Sequence, residues 1–177
     1  MRVAFAGASG TGKTTLMRHV VKMTGFDVCP VGSRGVAKSM GFENPYDVDA
    51  AGRRDEFQKR LFAEKRDWEA SHEFFVTDRS AFDNLAYSTM HGARVTTDEL
   101  LEYEGAMARY THVLYLPITA FHDVGDDPHR VKELGYHVMF DMILRALFAE
   151  RFSGIPSKVW RNGLEEREKQ VRGILGL

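Results

Sequence analysis

Residues 7–14 read Gly7-Ala8-Ser9-Gly10-Thr11-Gly12-Lys13-Thr14 and fit the pattern G-x-x-x-x-G-K-[ST] at every position. No other feature limits so tightly what this chain can fold into. Gly7, Gly10 and Gly12 permit backbone angles that a side chain disfavours, so the loop can turn sharply and aim several N–H groups inward. An apolar run, residues 2–6, precedes the loop. An amphipathic run, residues 13–24, follows it with Leu16, Met17, Val20, Val21 and Met23 at helical spacing, and Gly25 is its stop. Strand, loop and helix in that order turn the positive end of the helix toward the loop. Such a loop is built for a phosphate chain. Lys13 can reach the β- and γ-phosphates, and the Thr14 hydroxyl can ligate Mg²⁺. Gly7 to Thr14, with Thr15 in the first helical turn, are therefore the candidate contacts to ATP or a close relative.

The remaining chain alternates strands and helices. Strands are expected at 26–31, at 73–77 ending on Asp78, at 112–118 and at 157–160. Between them the pattern predicts helices over 49–71, 80–90, 96–110, 128–152 with a break near Gly135, and 164–175. Thr96 and Glu99 have capping-box spacing, and Asp127-Pro128 suits a helix start. Residues 32–48 read as an irregular glycine-rich stretch with one helical turn at 36–40. Alternation of this kind means a parallel sheet with helices on both faces, and the whole of 1–177 is expected as one α/β domain.

The third strand delivers an acid and then a base at its C-terminal end, where open α/β sheets bind their ligands: Thr77-Asp78-Arg79-Ser80. Asp78 could hold Mg²⁺ with Thr14, or polarise an acceptor hydroxyl. Arg79 could clamp a phosphate or the transferring group. Asp83, five residues on, either faces the site or caps its helix. After the second strand, Ser33, Arg34 and Lys38 are placed to meet an acceptor, and an arginine there suits an anion.

The strings GASGTGKTTL and TDRSAFDNLAYS together resemble the P-loop kinase group of thymidylate kinases, deoxynucleoside kinases and nicotinamide riboside kinases. Asp78-Arg79-Ser80 is similar to the D-R-Y/F or E-R-S motif of those enzymes. Pro45 to Asp49, Phe57-Gln58 and Lys65 are similar to a segment that precedes this motif in small NadR-like "AAA domain" kinases, many of them phage-encoded. The resemblance is specific over the first 90 residues and looser afterwards. It implies a three-layer α-β-α P-loop NTPase fold with a parallel five-stranded sheet of order 2-3-1-4-5. It also implies a small lid at about 119–135, whose Arg130 and Lys132 would close over the phosphates or the acceptor. By position alone, Arg161 and Asn162 match the family's adenine contact. Members of this group are often homodimers, so a second copy is a candidate partner. The chain departs from deoxynucleoside kinases in one respect: Val31-Gly32-Ser33-Arg34 carries no acid after the second strand. A phosphate acceptor needs no general base, so a nucleoside monophosphate is the favoured acceptor.

Composition excludes several other classes. Lys and Arg number 24 against 25 Asp and Glu, a balance with no field for non-specific nucleic-acid binding. A kinase acting on a hydroxyl of a nucleoside, or of a base within DNA, stays open, with Arg53, Arg54, Lys59 and Arg60 as a strand groove. So does a nucleotide-binding regulator that hydrolyses slowly. The single cysteine, Cys29, allows no internal disulfide and reads as a buried apolar residue. Seven scattered histidines form no metal-binding pair. No apolar run approaches membrane-spanning length, so the expected location is the cytoplasm, that of the host if a phage encodes the chain.

Overall fold

A computed structural model describes residues 1–118, 122–125, 131–154, 156–160 and 163–177. In chain order the elements are β1 (Arg2–Ala6), α1 (Lys13–Thr24), β2 (Asp27–Val28), α2 (Ser33–Ser39), α3 (Asp47–Ala50), α4 (Arg54–Ala70) and β3 (Phe75–Asp78). They continue as α5 (Ala81–Met90), α6 (Thr97–Met107), β4 (His112–Tyr115), α7 (Leu134–Arg151), β5 (Ser157–Lys158) and α8 (Leu164–Leu175). The five strands form one sheet of order β2-β3-β1-β4-β5, and every pairing in it is parallel.

Successive strand residues point to opposite faces, and here both faces are apolar, as a doubly covered parallel sheet requires. Val3, Phe5, Val76, Leu114 and Leu116 pack with Leu16 and Val20 of α1 and Val171 and Leu175 of α8. Ala4, Ala6, Phe75, Val113 and Tyr115 pack with Phe62, Phe82, Leu85, Met107, Phe140 and Leu144 from α4 to α7. The result is the three-layer α-β-α fold. A smaller cluster of Val36, Ala37, Val48 and Phe57 closes the space between α2, α3 and α4.

Several boundaries differ from the periodicity-based expectation. The helical turn expected at 36–40 is part of α2, which starts earlier at Ser33, and α3 adds a second short helix from Asp47, with Val36, Ala37 and Val48 buried. The helix expected over 49–71 is two helices, since Gly52 at φ 66° interrupts it. α7 runs through Gly135 unbroken from Leu134, and residues 131–133 lie outside it. Its expected start at Asp127-Pro128 falls outside the described residues. The second, fourth and fifth strands are shorter than expected. Cys29, Leu116 and Val159 each donate one further backbone hydrogen bond beyond the ladder, to Val76, Ala6 and Tyr115. Cys29 is buried, as expected of a small apolar residue beside a strand. Among the described residues, no helix is long and apolar enough to cross a membrane.

The capping box of α6 forms as the Thr96/Glu99 spacing implies: Glu99 N donates to Thr96 Oγ1 at 3.2 Å and Thr96 N to Glu99 Oε2 at 2.8 Å. The Thr96 N–H and then Lys59 hold the Glu99 carboxyl at about 2, below its ordinary 4.5. A depressed carboxyl stabilises the fold above its unfolded value and loses that contribution as pH falls. Thr96→Ala is expected to lower the unfolding free energy by about 1 kcal/mol in urea titration at pH 7. The difference between the parent chain and Glu99→Gln should shrink between pH 4.5 and about 2.

Candidate active site

The phosphate loop takes the shape its glycines allow. Gly7, Gly10 and Gly12 have φ of 131°, 78° and 85°. A Cβ on Gly7 would collide with the Leu116 carbonyl, and one on Gly10 would lie 2.8 Å from the Asp123 carbonyl. The loop is also tied from within and from outside. Thr11 Oγ1 donates to the Ala8 carbonyl at 2.9 Å, and Arg167 of α8 donates to the Thr11 carbonyl at 2.9 Å. Lys13 Nζ donates to the carbonyls of Gly7 and Ala8 at 2.8 and 2.5 Å. The first turn of α1 carries no acidic residue of its own, so the positive end of the helix stays turned toward the loop. Ser9 and Thr14 are partly buried, and Thr15 is exposed on the first turn.

β3 lies beside β1 with Asp78 in register with Phe5, which brings the strand-end acid level with the start of the loop. Thr14 Oγ1 donates to Asp78 Oδ2 at 3.5 Å. Asp78 Oδ1 is buried and has no hydrogen-bond partner among the described residues. Arg79 has φ 74°, the left-handed region that a residue with a side chain rarely adopts. Its guanidinium donates to the Gly7 carbonyl at 3.1 Å and to Ser9 Oγ at 2.8 Å. It also lies over the rings of Tyr87 and Phe140, at 4.8 and 5.4 Å from their centroids. Burial opposes the Arg79 charge, while Tyr87, Asp83 and Asp78 hold it above its ordinary value.

Asp83 is fully buried and faces the loop, not the solvent. Its Oδ1 accepts from Gly7 N at 2.9 Å. Its Oδ2 accepts from the Ser80 N–H at 2.9 Å and the Ser80 hydroxyl at 2.6 Å, closing the capping box of α5. Both halves of the sequence alternative for Asp83 are thus met by one carboxylate: it caps its helix and it touches the site, through the loop backbone.

A cavity of about 550 Å³ opens beside the loop, within the range of small-molecule sites. Ser9, Thr14, Asp78 and Arg79 form its inner wall, and Ser33 and Arg34 at the start of α2 form part of its rim. Arg34 is exposed there. Lys38 and Lys132 are exposed and are not among the cavity-lining residues, although Val131 is. Arg130, Arg161 and Asn162 lie outside the described residues. The neighbouring loop does reach the phosphate loop, since Asp123 N donates to the Gly10 carbonyl at 2.9 Å.

The cavity also contains residues to which the sequence assigned no part in it: Tyr46, Phe57-Gln58 and Lys65 entered only through the family resemblance and Arg54 only as part of a strand groove. Arg54, Phe57, Gln58, Leu61 and Lys65 line it from one face of α4. Tyr46, Asn84, Tyr87, Tyr136 and His137 come from three other segments: the start of α3, α5 and α7. Spacing of i, i+3, i+4, i+7 and i+11 marks the α4 stripe, but Arg54 and Lys65 read as part of the opposite charged face. Gln58 is 3% exposed, and its Oε1 accepts from Asn84 Nδ2 at 2.8 Å. Tyr103 OH in turn donates to Asn84 Oδ1 at 2.7 Å, and burial pushes that phenol up to about 12. His137 donates from Nε2 to the Val131 carbonyl at 2.7 Å, and burial lowers its pKa. The basic cluster on α4 is ion-paired throughout: Arg53 with Glu56, Arg54 with Asp49, Lys59 with Asp55 and Glu99, and Arg60 with Glu64.

The AAA domain family profile matches residues 2–167. No curated protein matches the sequence. Among solved structures, deoxyadenosine kinase from M. mycoides with bound dCTP superposes at a TM-score of 0.65 and 11% identity, covering 99% of each chain. The NadR protein in complex with NR gives 0.68 and 17%, over 99% of this chain and 50% of that one. Shikimate kinase from Acinetobacter baumannii in complex with shikimate gives 0.60 and 15%, over 99% and 93%. Identities this low establish a shared fold.

Gly7→Ala is expected to destabilise the chain by roughly 2 kcal/mol or more, because it combines a clash with an unfavourable φ. Thermal melting should show the loss, and a fluorescent ATP analogue should no longer bind at micromolar concentration.

Proposed function

This chain belongs to the AAA domain family, and from that premise we propose that it is a Mg²⁺- and ATP-dependent phosphotransferase acting on a nucleotide, most readily a (deoxy)nucleoside monophosphate. One observation carries the reading. Ser9, Thr14, Asp78 and Arg79 belong at once to the phosphate-loop region and to the wall of a 550 Å³ cavity. A donor triphosphate on the loop and an acceptor in the cavity would therefore meet at those four side chains.

The cavity's charge favours an anionic acceptor. Arg34 and Arg79 line it, Arg54 and Lys65 do so with their charges met by Asp49 and Glu69, and among the described lining residues Asp78 is the one carboxylate. Tyr46, Phe57, Tyr87 and Tyr136 give aromatic surface for a base, and Gln58 with Asn84 gives directed hydrogen bonding. In the transfer, the bond from the γ-phosphorus to the ADP oxygen breaks and a bond to an acceptor phosphate oxygen forms. Lys13, the loop amides and Arg79 stabilise the charge spread over the phosphoryl oxygens. The residues present fit a divalent cation: the Thr14 hydroxyl faces Asp78, and Asp78 keeps one buried oxygen without a partner. Mg²⁺ held by that pair would supply charge neutralisation between the phosphates. Arg130 and Lys132 are assigned to the lid, Arg161 and Asn162 to the donor base, and Ser33 and Arg34 to the acceptor. Asp83 is assigned to fixing the loop's first amide.

A hydroxyl acceptor is the second reading, and the unpartnered Asp78 oxygen is what favours it, because that oxygen could take the hydroxyl proton. The ion pairing of Arg53, Arg54, Lys59 and Arg60 weighs against a DNA strand groove on α4.

Incubation with labelled ATP, Mg²⁺ and a panel of monophosphates, nucleosides and single-stranded DNA tests both. Label is expected on a monophosphate, and Asp78→Asn should lower kcat by about 100-fold or more. Label appearing only as free phosphate would contradict the proposal. Label on nucleosides or DNA with none on monophosphates would replace the first reading by the second.

A further inference from the structure

The β1–β3 ladder stops one rung before its backbone runs out. In a parallel ladder, a residue that donates its N–H to one neighbouring carbonyl returns its own carbonyl to an N–H two residues further along the partner strand. Arg79 N donates to the Phe5 carbonyl at 2.7 Å. The next rung would run from Gly7 N–H to the Arg79 carbonyl, and it is not made. Gly7 N–H goes instead to Asp83 Oδ1. The Arg79 carbonyl accepts from Lys65 Nζ, which also donates to the Asp78 carbonyl at 2.6 Å. Two side chains of opposite charge, one from α5 and one from α4, thus occupy the two halves of one missing backbone rung.

Lys65 is buried, at 7% exposure. Its countercharge is Glu69, one turn along α4 at 3.9 Å, and Glu69 is held in turn by the Tyr110 hydroxyl at 2.8 Å. An ammonium on a flexible stem has three donors, enough to gather two converging carbonyls. Arg79, where this happens, is the one non-glycine residue with positive φ among the described residues. A left-handed residue with a side chain persists only where its surroundings hold it.

We propose that Lys65 is a positioning residue that keeps the ladder open at Arg79 and so sets Asp78 and Arg79 against the phosphate loop. With the rung open, the Arg79 side chain reaches the Gly7 carbonyl and Ser9, while the Asp78 carboxylate stays at Thr14. Closing the rung would draw Gly7 and Arg79 together and move both groups. The kinetic consequences rest on the phosphotransferase reading, and the structural ones do not.

The test is Lys65→Met, which keeps the stem and removes the donors. A crystal structure of the variant is expected to show Arg79 outside the left-handed region, or its carbonyl paired with Gly7 N–H. An Arg79 turn unchanged from the parent overturns the proposal. In the transfer assay, kcat should fall about 30-fold or more while KM for ATP moves less than about threefold, and the Mg²⁺ concentration for half-maximal rate should rise. Placed on the double variant Asp78→Asn/Arg79→Ala, the same substitution should cost less than about threefold, because both groups it positions are already gone. Equal losses in both backgrounds would assign Lys65 to general stability and overturn the proposal. If Lys65→Met does not fold, Lys65→Gln, which keeps one donor nitrogen, carries the same comparisons. A parent chain that transfers phosphate to no acceptor would sink the functional reading alone, and the crystal structure would still decide this one.

Discussion

The buried carboxylate of Asp83 on the first amide of the phosphate loop is the contact on which the site depends. It lies where β1 ends, β3 has just ended and α5 begins, so three elements share it. A fully buried carboxylate tolerates such a place only when its oxygens are hydrogen-bonded. Here Gly7 N, Ser80 N and Ser80 Oγ supply the donors. That arrangement fixes where the loop starts. It also fixes where α5 starts, and so the direction in which Asp78 and Arg79 leave the strand.

The sheet supplies the rest of the alignment. Parallel pairing of β1 with β3 puts Asp78 beside the end of Phe5, and the strand order leaves β1 in the middle with the loop at its tip. α4 then crosses behind the turn. Its buried face runs from Arg54 to Lys65, and that same face lines the cavity. One helix therefore touches both the cavity and the backbone of the strand-end turn.

The glycine spacing from Gly7 to Gly12 made the loop, the preceding strand and the following helix legible in the sequence, because those glycines answer to local backbone geometry. The place of Asp78-Arg79 at a strand end was legible from the apolar run before it, and the strand order through resemblance, with which the observed order agrees. The α4 wall of the cavity was not. Arg54 and Lys65 sit among residues of the same charge type that face solvent, and only tertiary packing separates Lys65, which is buried, from Lys59, which is exposed. Asp83 was left between two roles because a cap and a long-range contact to Gly7, 76 residues away, leave the same local signature. In the α2–α3 region only the turn at 36–40 was legible; the start of α2 and the whole of α3 were not, since apolar positions there are few and glycines many.

We propose that the phosphate loop and the neighbouring cavity are two halves of one two-substrate site joined at Thr14, Asp78 and Arg79. Isothermal titration with a bisubstrate analogue, adenosine linked through a polyphosphate to a second deoxynucleoside, tests it most directly. The account predicts one molecule bound per chain, at least about 10-fold more tightly than ADP with Mg²⁺, because tethering makes the second half's binding intramolecular. Affinity no better than that of ADP would contradict it.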